Sequence, residues 1–178
     1  IGRLVAKKAQ GLDMKVCATD PFISPEAAKE IGVELVELDV LLQFSDFISV
    51  HVPLDNSTHH MLSQKEFALM KDGAFFINCA RGELVDINAL KEAMSSGRIN
   101  AALDVFENEP KSDDEPLKID EEIITLADVL TPHLGGSTRE ARKNAALGAA
   151  QQIIDGLAHN VWRNAINLPP SDAALKPY

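Results

Sequence analysis

The stretch AFFINCARGELVDINALKEAMSSGRINAALDV, residues 74–105, reads as strand, turn, helix, strand, and it decides the fold class. Ala74 to Asn78 is a short apolar, β-rich run of strand length. Asp86 is placed to cap a helix that runs to Ser96, and Gly97 is its C-terminal stop. Ala101 to Val105 supplies the next strand. Two strands joined through a helix run parallel, because an antiparallel pair needs no more than a hairpin between them.

The same alternation extends in both directions. Toward the start, Gly2 to about Gln10 reads as a helix ended by Gly11, and Met14 to Thr19 as a buried strand. A helix from Pro25 to Ile31 stops at Gly32, followed by the extended VELV (33–36). Val40 to Gln43 is a brief helical turn, and Phe47 to Val52 is a strand closed by Pro53. Ser63 and Glu66 have capping-box spacing and open a helix that ends near Gly73. Beyond residue 105, the acidic stretch from Asn108 to Glu122 reads as a long loop, and Val129 to Thr131 as a last short strand. Ser137 and Glu140 repeat the capping-box spacing. They open the longest helix, to about Leu157, with Ala146, Ala150, Ile153, Ile154 and Leu157 on one face. The expected class is α/β: a Rossmann-type, doubly wound parallel sheet with helices on both faces.

Composition narrows the function classes. With 178 residues, 46% hydrophobic and 25% charged, the chain is ordinary for a globular protein with a real core. The net charge of −10 argues against a nucleic-acid partner, whose phosphates require a basic excess. No apolar run approaches the ~20 residues of a membrane span, so no membrane partner is expected. Cys17 and Cys79 each lie in an apolar run and read as reduced core residues of a cytoplasmic protein. His59 and His60 sit in a polar turn and read as solvated; no metal site is expected.

In parallel sheets ligands gather beyond the carboxyl ends of the strands. Asp20, His51, Arg81, Asp104 and His133 each end or follow a strand, so one edge collects the chemistry. Gly2 is a candidate for the third glycine of a dinucleotide fingerprint, and equally a packing glycine. Asp20 follows a strand 18 residues after Gly2, near the spacing of an acid that binds the adenosine ribose hydroxyls. A carboxylate there would favour NAD over NADP. A turn aspartate before Pro21 is the equal alternative.

NCARGELVD (78–86), ALDVFENEP (102–110) and TPHLGGST (131–138), in this order, together with VHVPLDNSTHHML (50–62), resemble the signature segments of the D-isomer-specific 2-hydroxyacid dehydrogenases. The similarity runs from Ile1 to about Pro169. It implies a catalytic Arg81, Glu109 and His133, with Arg81 and His133 also touching substrate. Each suits the chemistry. Arg81 offers a planar fork of donors for a carboxylate and its neighbouring carbonyl. His133 is the type of side chain that moves protons near neutral pH. Glu109 would hold its imidazole in one tautomer. An arginine after a strand is usually a surface ion pair, but the flanking Ala80 and Gly82, small enough for close cofactor approach, favour a functional Arg81. By residue type alone Glu109, among Glu107, Asp113, Asp114 and Glu115, reads as a solvated loop acid.

The resemblance also implies a cofactor, NAD, and its contacts. Ile1 and Gly2 would lie against the cofactor, and Asp20 would bind the adenosine ribose. His51, Val52, Pro53 and Thr58 would line the ribose and pyrophosphate. Cys79, Ala80, Arg81, Asp104, His133, Gly135 and Gly136 would surround the nicotinamide. The implied partner is a small 2-hydroxy acid, and the implied assembly a homodimer or homotetramer.

Within the family, TPHLGGSTREA and the tail INLPPSDAALKPY are most similar to members that act on D-3-phosphoglycerate. Members acting on glyoxylate, hydroxypyruvate or lactate, and corepressor-like dinucleotide sensors, share the same residues. Residues 1–168 are expected to form an NAD-binding domain that lacks its first strand and first two glycines, with 169–178 leading toward a further domain. Without that strand and a substrate-binding domain, the chain alone is expected to bind NAD weakly and turn over little.

Overall fold

The computed structural model describes residues 1–110 and 115–165. The expectation for 169–178 and the tail motif lie outside them. The chain divides into two compact units, the first being Ile1–His133 and the second beginning at Leu134.

The first unit alternates helices and strands in chain order: α1 (Gly2–Gln10), β1 (Cys17–Ala18), α2 (Pro25–Glu30), β2 (Glu34–Leu35), α3 (Leu38–Phe44), β3 (Phe47–Val50), α4 (Gln64–Leu69), β4 (Ala74–Asn78), α5 (Ile87–Ser95), β5 (Ile99–Leu103), α6 (Glu121–Leu126) and β6 (Val129–Leu130). A 3₁₀ turn, Gly82–Leu84, lies between β4 and α5. Strands β3–β4–β5–β6 form one sheet in that order, and every pairing is parallel. β1 and β2 pair parallel in a separate two-stranded ladder.

Periodicity explains the layering. In β4 and β5 alternate residues are fully buried, Ala74, Phe76 and Asn78 on one strand and Ile99, Ala101 and Leu103 on the other. That face meets Leu42 of α3, Phe67 of α4, Leu90 and Met94 of α5 and Ile123 of α6 in one cluster. Phe67 and Phe76 meet edge to face with centroids 5.4 Å apart. Burying each ring stabilises the fold by about 2–3 kcal/mol.

Local caps set the boundaries. Asp86 accepts from the Asn88 and Ala89 amides at the start of α5, and Gly97 follows its end at φ 70°. At α4, Ser63 and Glu66 make the reciprocal capping box. Burial alone would raise the Glu66 carboxyl, but the hydrogen bonds from Ser63 outweigh it and hold the group below its usual range.

Several boundaries differ from expectation. β5 begins at Ile99, two residues early, because its pairing with β4 starts at Ala74↔Ile99. α3 is a full helix, and its Leu42 is completely buried. The acidic stretch contains the start of α6, capped by Asp120, whose carboxylate accepts from the Glu122 and Ile123 amides.

The second unit carries α7 (Arg139–His159), capped by Thr138 through the Ala141 amide and not by Ser137. Its expected apolar face is solvent-exposed, with Ile153, Ile154 and Leu157 all more than half accessible. Only Gly156 is buried, against Trp162, whose ring would lie 2.5 Å from an added Cβ. The described residues of this unit contain one helix and hold no second layer to cover the stripe. Among the described residues no helix is long and apolar enough to cross a membrane.

Candidate active site

The carboxyl ends of β4, β5 and β6 carry the central residues. β4 ends at Asn78, which is buried. Its side chain spans the turn that follows, accepting from the Ala80 amide at 3.0 Å and donating to the Arg81 carbonyl at 2.8 Å. The turn therefore has one shape, and Arg81 leaves it exposed, its guanidinium donating to the Ala80 carbonyl. Gly82 closes the turn against the backbone of Phe106, where a Cβ would lie 2.1 Å from the carbonyl carbon. Only glycine fits, so the Arg81 turn is locked to the loop after β5.

That loop holds Glu109. Its Oε1 accepts from the Phe106 amide at 2.7 Å, and its Oε2 meets His133 Nδ1 at 2.5 Å. Charge assistance makes such a contact short and strong. Asn108, just before it, and His133 itself both have positive φ, 60° and 53°. Non-glycine residues held there carry backbone strain that tends to concentrate where geometry serves function. Glu109 and His133 are both partly buried.

Asp104, the residue after β5, is buried. Its carboxylate accepts from the Thr131 hydroxyl at 2.5 Å, and its amide donates to the Asn78 carbonyl. Thr131 thus ties the end of β6, two residues before His133, to the end of β5. Burial pushes the Cys79 thiol up from its ordinary value, and the Asp104 charge adds to the effect. Cys79 is a free and exposed cysteine, not the core residue expected from its apolar run, because it lies one residue beyond the end of β4; Cys17 is half-buried.

On the opposite side of the sheet edge the contacts are thinner. His51 follows β3 and contacts the Ser49 hydroxyl through Nε2 at 3.0 Å. Burial lowers its pKa. An added Cβ on Gly2 would sit 3.3 Å from His51 Cβ, so the start of α1 meets the end of β3. Val52 is half-buried beside it and Pro53 is exposed. The Thr58 hydroxyl donates to the Pro53 carbonyl, so its side chain is used to fold its own loop. Asp55 closes the same loop with hydrogen bonds from Ser57 and Thr58, which hold its carboxyl low.

Asp20 is exposed, and one carboxylate oxygen accepts from the Phe22 amide. That contact is the turn geometry expected of an aspartate before proline, and it leaves Oδ2 without a hydrogen bond among the described residues. In the second unit Gly135 and Gly136 are exposed, and a Cβ on Gly136 would meet nothing within 4 Å.

A dinucleotide suits this donor set. The first turn of α1 holds no acid, and Ile1 supplies no capping side chain, so its amides suit an anion. Residue types alone did not single out Asn78, Thr131 or the Phe106 amide. Thr131 acts through Asp104, distant in sequence, while Asn78 and the Phe106 amide act by short hydrogen bonds inside turns whose shape the residue types do not announce.

Residues 1–135 match the NAD-binding domain of the D-isomer specific 2-hydroxyacid dehydrogenases. The chain is 45% identical over 176 residues to a D-3-phosphoglycerate dehydrogenase of Archaeoglobus fulgidus, covering 97% of this chain and 32% of that one. It is 43% identical to a glyoxylate reductase of Thermococcus litoralis, covering 94% and 49%. Among solved structures it resembles the D-lactate dehydrogenase of Lactobacillus jensenii with NAD+, at TM-score 0.78 and 33% identity, over 90% of this chain and 50% of that one. The chain belongs to the D-isomer specific 2-hydroxyacid dehydrogenase family, within its NAD-binding domain. It spans about a third to a half of the length of these curated relatives.

Proposed function

We propose that the protein oxidises D-3-phosphoglycerate to 3-phosphohydroxypyruvate with NAD, the reaction that opens serine biosynthesis. The observation that carries the dehydrogenase reading is the Glu109–His133 contact, with Glu109 pinned by the Phe106 amide. Similarity to relatives named D-3-phosphoglycerate dehydrogenase supports the substrate. NAD supplies the hydride acceptor when bound.

The chain's own residues do the rest. Arg81 holds the substrate carboxylate and carbonyl through its guanidinium fork. Glu109 accepts from His133 Nδ1–H, which fixes the tautomer and leaves Nε2 to take the proton of the substrate hydroxyl. The carboxylate also stabilises the imidazolium that forms. Ile1, Gly2, Asp20, His51, Val52, Pro53 and Thr58 cradle the adenosine and phosphate side of NAD. Cys79, Ala80, Asp104, Gly135 and Gly136 border the nicotinamide.

Residues 1–168 make up the NAD-binding domain in this reading, and the protein is a cytoplasmic homodimer or homotetramer. Its two free cysteines fit a reducing compartment. A glyoxylate reductase is the second reading, favoured by the Thermococcus litoralis relative.

The test joins the chain to a substrate-binding domain of the family and follows NADH formation with D-3-phosphoglycerate, glycerate and lactate. Phosphoglycerate is expected to be preferred, and His133→Ala to lower kcat/KM by roughly 10²–10⁴-fold. Unchanged turnover in that variant removes the acid–base role, and preference for an unphosphorylated acid removes the substrate.

A further inference from the structure

Outside the residues used above, one group of ligand-type side chains converges among the described residues. His59 and His60 lie on the loop before α4, and Glu107 lies on the loop after β5. The three offer donor atoms that all lie within 4.8 Å of one another. His60 Nε2 and Glu107 Oε1 are 3.0 Å apart, and the rings of His59 and His60 stack with centroids 4.0 Å apart.

We propose that His59, His60 and Glu107 form a binding site for a divalent transition-metal ion of the Zn²⁺, Co²⁺ or Ni²⁺ kind. Ligands about 2.0–2.1 Å from zinc stand roughly 2.9–3.4 Å from each other. The His60–Glu107 separation already falls on that edge, so an ion can replace the proton between them with little movement.

Both of these ligands are held by backbone. The His60 amide donates to the Glu83 carbonyl at 2.9 Å, beside the isolated bridge Leu62↔Val85. Glu107 follows Phe106 where the chain packs on Gly82, whose added Cβ would lie 2.4 Å from the Glu107 amide nitrogen. His59 is exposed and makes no side-chain hydrogen bond among the described residues, so its ring turns toward the ion at little cost. Two imidazoles and one carboxylate, with no thiolate, favour Zn²⁺, Co²⁺ and Ni²⁺ over Mg²⁺ and Ca²⁺. Three protein donors leave a fourth position for water. Ion binding at these residues is independent of the dehydrogenase reading, because neither histidine serves that chemistry.

The test titrates the purified, metal-free chain with Co²⁺, followed by its visible absorption, and with Zn²⁺ in a calorimeter. One equivalent is expected to bind, while Mg²⁺ does not compete. His59→Gln spares the His60–Glu107 hydrogen bond yet is expected to weaken binding on the order of tenfold or more. His60→Gln and Glu107→Gln are expected to weaken it at least as much. His159→Gln and Cys79→Ser should leave it unchanged. Absence of saturable binding, an unchanged affinity in His59→Gln, or loss in Cys79→Ser overturns the proposal.

Discussion

The carboxyl ends of β4, β5 and β6 and the carboxyl end of β1 are both places where the family resemblance puts cofactor contacts, yet they are built differently. At β4–β6 the chain braces itself. Asn78 spans the Arg81 turn, Gly82 seats that turn on Phe106, Thr131 bonds Asp104, and Glu109 links the loop to His133. At β1, Asp20 is exposed and bonds only its own turn, on a ladder of two residues per strand. The bracing falls where the proposed reaction would take place, and a reacting atom tolerates little misplacement. Asp20, proposed above to bind the ribose, keeps Oδ2 without a hydrogen bond among the described residues.

If this contrast is right, substitutions at the two places separate into stability effects and affinity effects. The largest is expected at Gly82→Ala, whose methyl has no room beside the Phe106 backbone. Overpacking of this kind costs about 3 kcal/mol or more here, since the obstruction is backbone and cannot swing away. Urea unfolding of the purified chain measures it, and a loss below about 1 kcal/mol would mean the two loops are not locked.

Asn78→Ala comes next. It removes two side-chain hydrogen bonds from a buried position and leaves the Ala80 amide and Arg81 carbonyl to find water. A cost of about 2 kcal/mol is expected, together with faster hydrogen exchange at the Ala80 amide. Unchanged exchange there would show that the turn keeps its shape without the brace.

The smallest effect on stability belongs to Asp20→Ala, within about 0.5 kcal/mol of the parent. The same change should weaken NAD binding about tenfold, since a charge-assisted hydrogen bond to a ribose is lost. NADH fluorescence titration of the variant and parent, each joined to a substrate-binding domain, checks it. A large stability loss with unchanged affinity would reverse the contrast between the two edges.

How far the sequence alone could be read follows the same division. The strand Ala74–Asn78, the Asp86 cap and the Ser63–Glu66 box are legible because each rests on contacts within a few residues. β5 was placed late because its first residue is fixed by pairing with Ala74, which no local pattern carries. The apolar stripe on α7 announced a helix correctly, but whether a stripe is covered depends on a second layer. At the site, residue type could not separate Glu109 from Glu107. Both are acids on one loop, and they turn to different histidines, His133 and His60. Only the motif match favoured Glu109, and the brace through Asn78 became visible only with the turn folded.

Proton NMR of the imidazole N–H region tests the pairing at the centre of this account most directly. A strongly deshielded, exchange-protected Nδ1–H signal is expected from His133, lost in His133→Gln and also in Glu109→Ala while the chain stays folded. A folded chain that shows no such signal, or one that keeps it in Glu109→Ala, contradicts the account.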